Sequence, residues 1–327
     1  MAALPEPSHG SHPGNIVNLR NLASPALAYL LEEEAAAWRR DFFWDFQPSA
    51  ELVRKFVDLR ALTGCAVLRG GHATGYTYFV CEDGKALIGD LFVRASPQQR
   101  QEEDTLLEVM LGSLWNTPGI RRVEGQLMML RQPFSRQVPY PDCFTIHPRR
   151  FYQADLARVD GLSVETHTRQ RILPWSEAYQ EESAALISRS YVGHIDSEIN
   201  DQYRSAEGAQ RFLMNIIQYP GCGMFYGPAS FVSVDSSTHR ISGLCLASLV
   251  SEGTGHITQL CVGPDHRGIG LGRELLRRSL LALAAHRVIR VSLTVTTLNR
   301  KAIRLYERMG FRNQRDFAAY VWVKPRI

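Results

Sequence analysis

The sequence predicts a mixed α/β protein (α+β, with a mixed sheet) built as two tandem copies of one fold. At 327 residues the chain is long enough for two ordinary domains. Strand-like runs alternate with amphipathic helical runs in both halves. The halves also overlay: a shift of 169 residues lays Leu91-Phe92-Val93 on Leu260-Cys261-Val262 and Thr105-Leu106-Leu107 on Glu274-Leu275-Leu276. With a one-residue adjustment, Val123 to Leu130 falls on Val291 to Leu298.

In chain order, residues 1–24 read as a mobile N-terminal tail. Ser24 is placed to cap a helix running to Arg39, and Ser49 one beginning near Ala50. Strands are expected over 65–68, 76–81 and 86–93, with Glu82-Asp83-Gly84-Lys85 turning between the last two. A helix over 102–115 and a strand over 122–130 follow. The stretch 131–161 reads as irregular, with a short β-like piece at 144–147; Arg149 and Arg150 belong to a solvated connection. The domain boundary is placed near Gly161. Beyond it come a polar strand over 165–172, helices over 176–190 and 206–218, and strands over 230–234 and 241–250.

The composition is 45% hydrophobic and 21% charged, which excludes disordered, collagenous and disulfide-scaffold classes. A net charge of +4 gives no reason to expect nucleic acid as a partner. No apolar run approaches the ~20 residues of a membrane helix, and residues 1–14 lack the basic-then-apolar order of a secretory signal. A cytoplasmic protein without a membrane partner is expected. The six cysteines are scattered with no CxxC pair, so no metal is expected either.

The chemistry concentrates in residues 255–310. A strand over 256–262 ends at Gly263-Pro264, and the turn Arg267-Gly268-Ile269-Gly270-Leu271-Gly272 leads into a helix towards His286, then a second strand and helix. Successive glycines leave main-chain N–H groups free to converge on one concavity at the positive end of a helix, which suits a pyrophosphate. A Cβ there would obstruct the close approach. The dinucleotide fingerprint at a first strand–helix turn and the Gly-Lys-Ser/Thr of a P-loop are both missing.

The turn Arg267 to Gly272 fits the pattern Gln/Arg-x-x-Gly-x-Gly/Ala in full. Asn299-Arg300-Lys301-Ala302-Ile303-Arg304-Leu305-Tyr306-Glu307-Arg308-Met309-Gly310-Phe311 fits N-x-x-A-x-x-L-Y-x-x-x-G-F. Through these motifs, from about Thr166 to the C-terminus, the sequence resembles the GCN5-related N-acetyltransferases (GNAT family). The resemblance implies two acyl-CoA N-acyltransferase folds, a degenerate copy over 25–161 and a catalytic domain over 162–327. It implies acetyl-CoA as co-substrate, held by Leu260, Cys261 and Val262, by Arg267, Gly268, Ile269, Gly270, Leu271 and Gly272, and by Asn299, which also caps the last helix.

The implied reaction is direct attack of a primary amine, on a small molecule or peptide, upon the thioester. The Val262 N–H polarises the carbonyl and Tyr306 protonates the departing thiolate. His256, six residues before Val262, stands where family members often place a base, and a neutral imidazole suits that task near pH 7. Positions that are acidic in many relatives hold Gln259 and Leu260. The acidic loop over 194–198 offers alternatives for the base; by the resemblance His194, Asp196 and Glu198 line the acceptor pocket, and Asp196, Glu198 and Asp201 suit a cationic amine. Cys261 reads as inert. Polyamines, aminoglycosides, amino-acid derivatives and protein N-termini all stay open as acceptors, and a homodimer is compatible. The rival readings are an acyl-CoA sensor without turnover and an acyltransferase for longer acyl chains.

In the first copy the turn positions carry Gln98, Gln99, Gln101 and Glu103. Side chains there fill the concavity and Glu103 repels a pyrophosphate, so that copy is expected not to bind coenzyme A.

Overall fold

The computed structural model describes residues 15–159, 170–219 and 221–325. The elements begin with β1 (Asn15–Asn18), α1 (Ala28–Phe42), α2 (Gln47–Asp58), β2 (Thr63–Arg69), β3 (His72–Glu82), β4 (Lys85–Val93), α3 (Gln99–Trp115) and β5 (Arg122–Leu127). They continue with β6 (Phe144–Asp155), β7 (Arg171–Pro174), α4 (Gln180–Ser190), α5 (Asp196–Ile199), α6 (Ala206–Gln218), β8 (Met224–Phe225) and β9 (Phe231–Val234). The last are β10 (Ile241–Ser251), β11 (Thr254–Val262), α7 (Leu271–Ala285), β12 (Arg290–Thr296), α8 (Arg300–Arg308) and β13 (Arg312–Val323).

Two compact units result, and neither is contiguous in sequence. One holds residues 15–42, 46–148 and 317–325, the other 43–45 and 149–316. The first unit's strand order is β1-β2-β3-β4-β5-β13; the second unit's is β6-β12-β11-β10-β9-β7, with β8 beside β10. Each has one parallel pair, β4 with β5 and β11 with β12. The strand laid antiparallel on β5 is β13, and the strand laid antiparallel on β12 is β6. Each unit is therefore completed by a strand from the opposite half of the sequence. The expected boundary near Gly161 lies outside the described residues, and the compact units differ from the expected division into 25–161 and 162–327.

Burial accounts for that difference. Ala318, Tyr320 and Trp322 alternate along β13 into the first core, beside Leu106, Leu107, Met110 and Leu114 of α3. The Trp322 indole N–H also donates to the Pro139 carbonyl at 2.9 Å. Tyr152 and Ala154 of β6 join the second core, with Leu271, Leu275, Leu280 and Leu283 of α7 and Val291, Leu293 and Val295 of β12. The other face of the second sheet packs Cys261 and Leu246 on Leu186 and Ile187 of α4 and Leu213 of α6.

Several expectations change at this level. Residues 15–18 of the expected tail pair with β2, and Leu19 is fully buried; residues 1–14 lie outside the described residues. Ser24 opens a short turn and donates to Asp58 at 2.8 Å instead of capping α1. Ser49 lies inside α2, whose first turn takes Pro48. The irregular stretch contains the twelve-residue strand β6, obscured in the sequence by Pro148. Most of the polar strand expected over 165–172 lies outside the described residues. Helix α6 begins after Ser205, whose hydroxyl accepts the Gly208 N–H at 3.0 Å. Among the described residues no helix is long and apolar enough to cross a membrane.

Candidate active site

The site begins where two parallel strands part. β11 pairs with β12 only at Thr254, Gly255 and His256, and the ladder ends at the pair His256–Ser292 although β11 runs on to Val262. On its other side β11 stays paired with β10 through a bulge at Leu246/Ala247. Gly263 donates its N–H to Ser242 on β10 at 2.8 Å. Main-chain donors alternate along a strand, so the Val262 N–H points the other way, into the opening.

A short turn (Pro264–His266) then leads to the glycines. Gly268 adopts φ +83° with nothing within 4 Å of a notional Cβ, and Gly270, the residue before α7, adopts φ +85°. Side chains are strained at both. Gly272 differs: a Cβ there would make ordinary contact with Val262 at 3.4 Å, so only two of the three glycines are demanded by the backbone. Residues 267–269 are exposed. They lead directly into the N-terminus of a fifteen-residue helix, an arrangement that attracts anions. Leu271 is buried and anchors that helix, whereas Ile269 is exposed. Arg267 braces the cradle: its Nε donates to the Val262 carbonyl at 3.1 Å and an Nη to the Ser190 carbonyl at 2.8 Å. Leu260 and Val262 pack on the α7 core. Cys261 turns to the opposite core, where burial pushes its thiol up to about 11, so it holds no thiolate near neutrality.

Asn299 Oδ1 accepts the Ala302 N–H at 3.2 Å and caps α8. That helix carries Tyr306, buried and tilted against Phe311. Burial raises the phenol's pKa well above its ordinary value, with the charge of Asp196 adding to the effect. Tyr306 thus stays protonated and keeps a proton to give.

The other face of β12 organises the polar groups that include the residues expected to line the acceptor pocket. Val291, Leu293 and Val295 enter the core, which turns Ser292, Thr294 and Thr296 to the opposite face. Each hydroxyl holds one functional group. Ser292 Oγ is 2.9 Å from His256 Nδ1, Thr294 Oγ1 accepts from an Arg149 Nη at 3.1 Å, and Thr296 Oγ1 donates to Asp196 Oδ1. Asp196 is also 3.6 Å from His194 Nδ1. The His194 ring stands edge-on to Tyr191, which stacks on Tyr203 and receives a bond from Gln259 Nε2 at 3.2 Å.

Three sequence expectations are corrected here. His256 is not placed to act as the base: it is 4% exposed and lies edge-to-face with Trp44, ring centroids 4.9 Å apart. Burial, with Arg149's charge, pushes its pKa down to about 3. The ring is neutral, but too enclosed and too weak to take a proton from an ammonium. Glu198 does not join Asp196. Two residues apart on a helical turn they face differently, and its exposed carboxylate pairs with Arg204 at 2.9 Å. Arg149 is not part of a solvated connection; it is a half-buried member of β6.

The groups missed from sequence are Arg149, Trp44, Tyr203 and the three hydroxyls. The alternation Ser292-Leu293-Thr294-Val295-Thr296 was the available signal, since hydroxyls at every second position of a core strand line one face.

Residues 191–311 match the acetyltransferase (GNAT) family. Over 87 residues the chain is 33% identical to the mycothiol acetyltransferase of Saccharopolyspora erythraea, covering 27% of this chain and 29% of that protein. Over 62 residues it is 48% identical to the mycothiol acetyltransferase of Kineococcus radiotolerans, covering 19% and 20%. The chain thus spans less than a third of the length of either relative. Among solved structures, a GCN5-related N-acetyltransferase from Sphaerobacter thermophilus superposes with a TM-score of 0.65 at 15% identity, over 97% of this chain and 98% of that one. A tandem GNAT protein from the clavulanic acid biosynthesis pathway superposes with a TM-score of 0.59 at 17% identity, over 96% and 99%. At such identities the likeness shows the fold, two GNAT copies in tandem.

Proposed function

Residues 191–311 belong to the GNAT acetyltransferase family, and from that premise we infer that the protein transfers an acetyl group from acetyl-CoA to a primary amine, with one working site, in the second unit. The observation that carries the reading is a coincidence of place: the β11–β12 opening adjoins an exposed, glycine-lined helix N-terminus. The amides around Gly268 to Gly272 hold the pyrophosphate, and the opening takes the pantetheine arm. The Val262 N–H donates to the acetyl oxygen as negative charge develops on it. Asp196, fixed by Thr296, receives the amine.

The new C–N bond forms as the C–S bond breaks. The ammonium gives up one proton through Asp196 and water before attack and the nitrogen loses a second as the amide forms, while Tyr306 gives its proton to the sulfur and is reprotonated from solvent. The net products are the amide, coenzyme A and one proton. Direct attack is favoured because Cys261 has no thiolate to offer. The mycothiol acetyltransferases among its relatives support acetyl transfer, and six free cysteines fit a reducing cytoplasm.

Coenzyme A release across an amine panel tests the reading. Tyr306→Phe should lower kcat by about 100-fold or more and leave acetyl-CoA affinity unchanged. Binding without release across the panel would favour a sensor, and unchanged turnover in the variant would remove the general acid.

A further inference from the structure

Resting on the acetyl-transfer reading, we propose that the acceptor is a zwitterionic amine, a primary amine with a carboxylate close by, whose ammonium pole is held by Asp196 and whose anionic pole is held by Arg149. The argument begins with register. Arg149 on β6 is the direct partner of Thr296 on β12, and antiparallel partners project their side chains to the same face. Thr296 is the residue whose hydroxyl holds Asp196, while the Arg149 guanidinium bonds Thr294, two residues earlier on the same face. Thr294 and Thr296 are separated by roughly 6–7 Å, comparable to the charge separation of an extended γ-amino acid. One strand face therefore fixes a carboxylate and a guanidinium one step apart.

Both charges also bear on the same two phenols: Asp196 raises and Arg149 lowers the pKa values of Tyr203 and Tyr306. Both poles thus act electrostatically on the residue assigned to the leaving sulfur. Both side chains are half-buried, so their charges are less screened than at an open surface. The planar fork of a guanidinium matches a carboxylate bidentately. A polyamine would bring a second cation towards Arg149, and a protein N-terminus would bring a neutral amide; neither uses the pair.

The test is coenzyme A release from acetyl-CoA with free amino acids, β- and γ-amino acids included, each compared with its own carboxamide and its decarboxylated amine. The expected result is a preference of roughly 10- to 100-fold in kcat/KM for the carboxylate-bearing member of the best pair. Arg149→Gln should abolish the preference and Arg149→Lys should restore part of it, with acetyl-CoA binding by calorimetry unchanged in both. Carboxamides or diamines turned over as well as the acids, or a preference that survives Arg149→Gln, would overturn this inference and leave acetyl transfer standing. No release with any amine, from protein that binds acetyl-CoA, would overturn both.

Discussion

After β11 the main chain is bare: Gly268 and Gly270 sit at positive φ and residues 267–269 are exposed. After β4, at the same place in the repeat, Gln98 precedes α3 at φ −90° and gives it no side-chain cap. Gln99 folds inward, its Nε2 donating to the Val93 carbonyl and to Glu103, each at 3.1 Å. Glu103 is 1% exposed and ion-paired with the buried Arg136, which also pairs with Asp104. The first copy thus fills the position of the anion cradle with a salt bridge of its own.

The surrounding main chain is nevertheless alike. Bulges fall at Tyr78/Phe79 and Leu246/Ala247, and the parallel ladders stop at Ile88–Gly125 and His256–Ser292. What separates a cradle from a plug is therefore a handful of side chains on one shared backbone, and the splay between strands is a property of the fold. The first copy also lacks a counterpart of α8: among the described residues, 128–143 contain only one short helical turn.

The largest expected effect breaks the open side. Gly270→Val places a branched side chain at φ +85°, which is sterically forbidden ground, directly before α7. Acetyl-CoA binding by calorimetry should fall by more than about 100-fold, the cost of misplacing several anion-binding amides at ~1.5–3 kcal/mol each, while both cores keep their circular dichroism. Unchanged affinity would erase the contrast between the two turns.

Next comes the plug. Arg136→Met strands Glu103 as a buried, unpaired carboxylate and should cost about 3–5 kcal/mol in urea unfolding; adding Glu103→Gln should recover part of it. Coenzyme stoichiometry should remain one per chain in the double variant. A second equivalent bound would mean that the salt bridge alone, and not the lost glycines, closes the first copy.

The smallest effect is one of sign. Burial lowers the pKa of His256 to about 3, so the native state excludes a proton that the unfolded chain accepts near ~6.5; its contribution is complete above that value and is lost as pH falls towards 3. In the first copy Glu34 is fully buried, bonded to Tyr76 and Trp38, and acted on by the charge of Asp90. Burial, then Asp90, raises its pKa, so its contribution is complete below the ordinary carboxylate value and is lost as pH rises through the folded one. Urea midpoints against pH should lose the acid-side slope in His256→Asn and the opposite slope in Glu34→Gln. Slopes shared with the unmodified protein would refute the assignment of these two groups.

The backbone geometry of the proposed coenzyme side was legible because its constraints are local. Positive-φ glycines before a helix and Asn299 capping α8 are read from neighbours a few residues apart. The proposed acceptor side was not, because it is assembled over long separations: Trp44 meets Ser292 from 248 residues away, and Arg149 lies on a strand whose Pro148 argues against a strand in the sequence. His256 shows the complementary error. Its residue type and spacing suggest a base, but the burial that disarms it comes from tertiary packing. The internal repeat exposed two copies of one fold, yet gave no sign that β6 and β13 finish each other's halves, since an overlay of two segments carries no information about which edge a third strand joins.

That exchange of closing strands reverses the timetable of synthesis. All residues of the second unit, 43–45 and 149–316, leave the ribosome before Phe317, whereas the first unit waits for the strand that carries Tyr320 and Trp322. The second unit thus has its whole chain before the first does, and the nascent first half must hold an open hydrophobic edge until the strand carrying Tyr320 and Trp322 has been made.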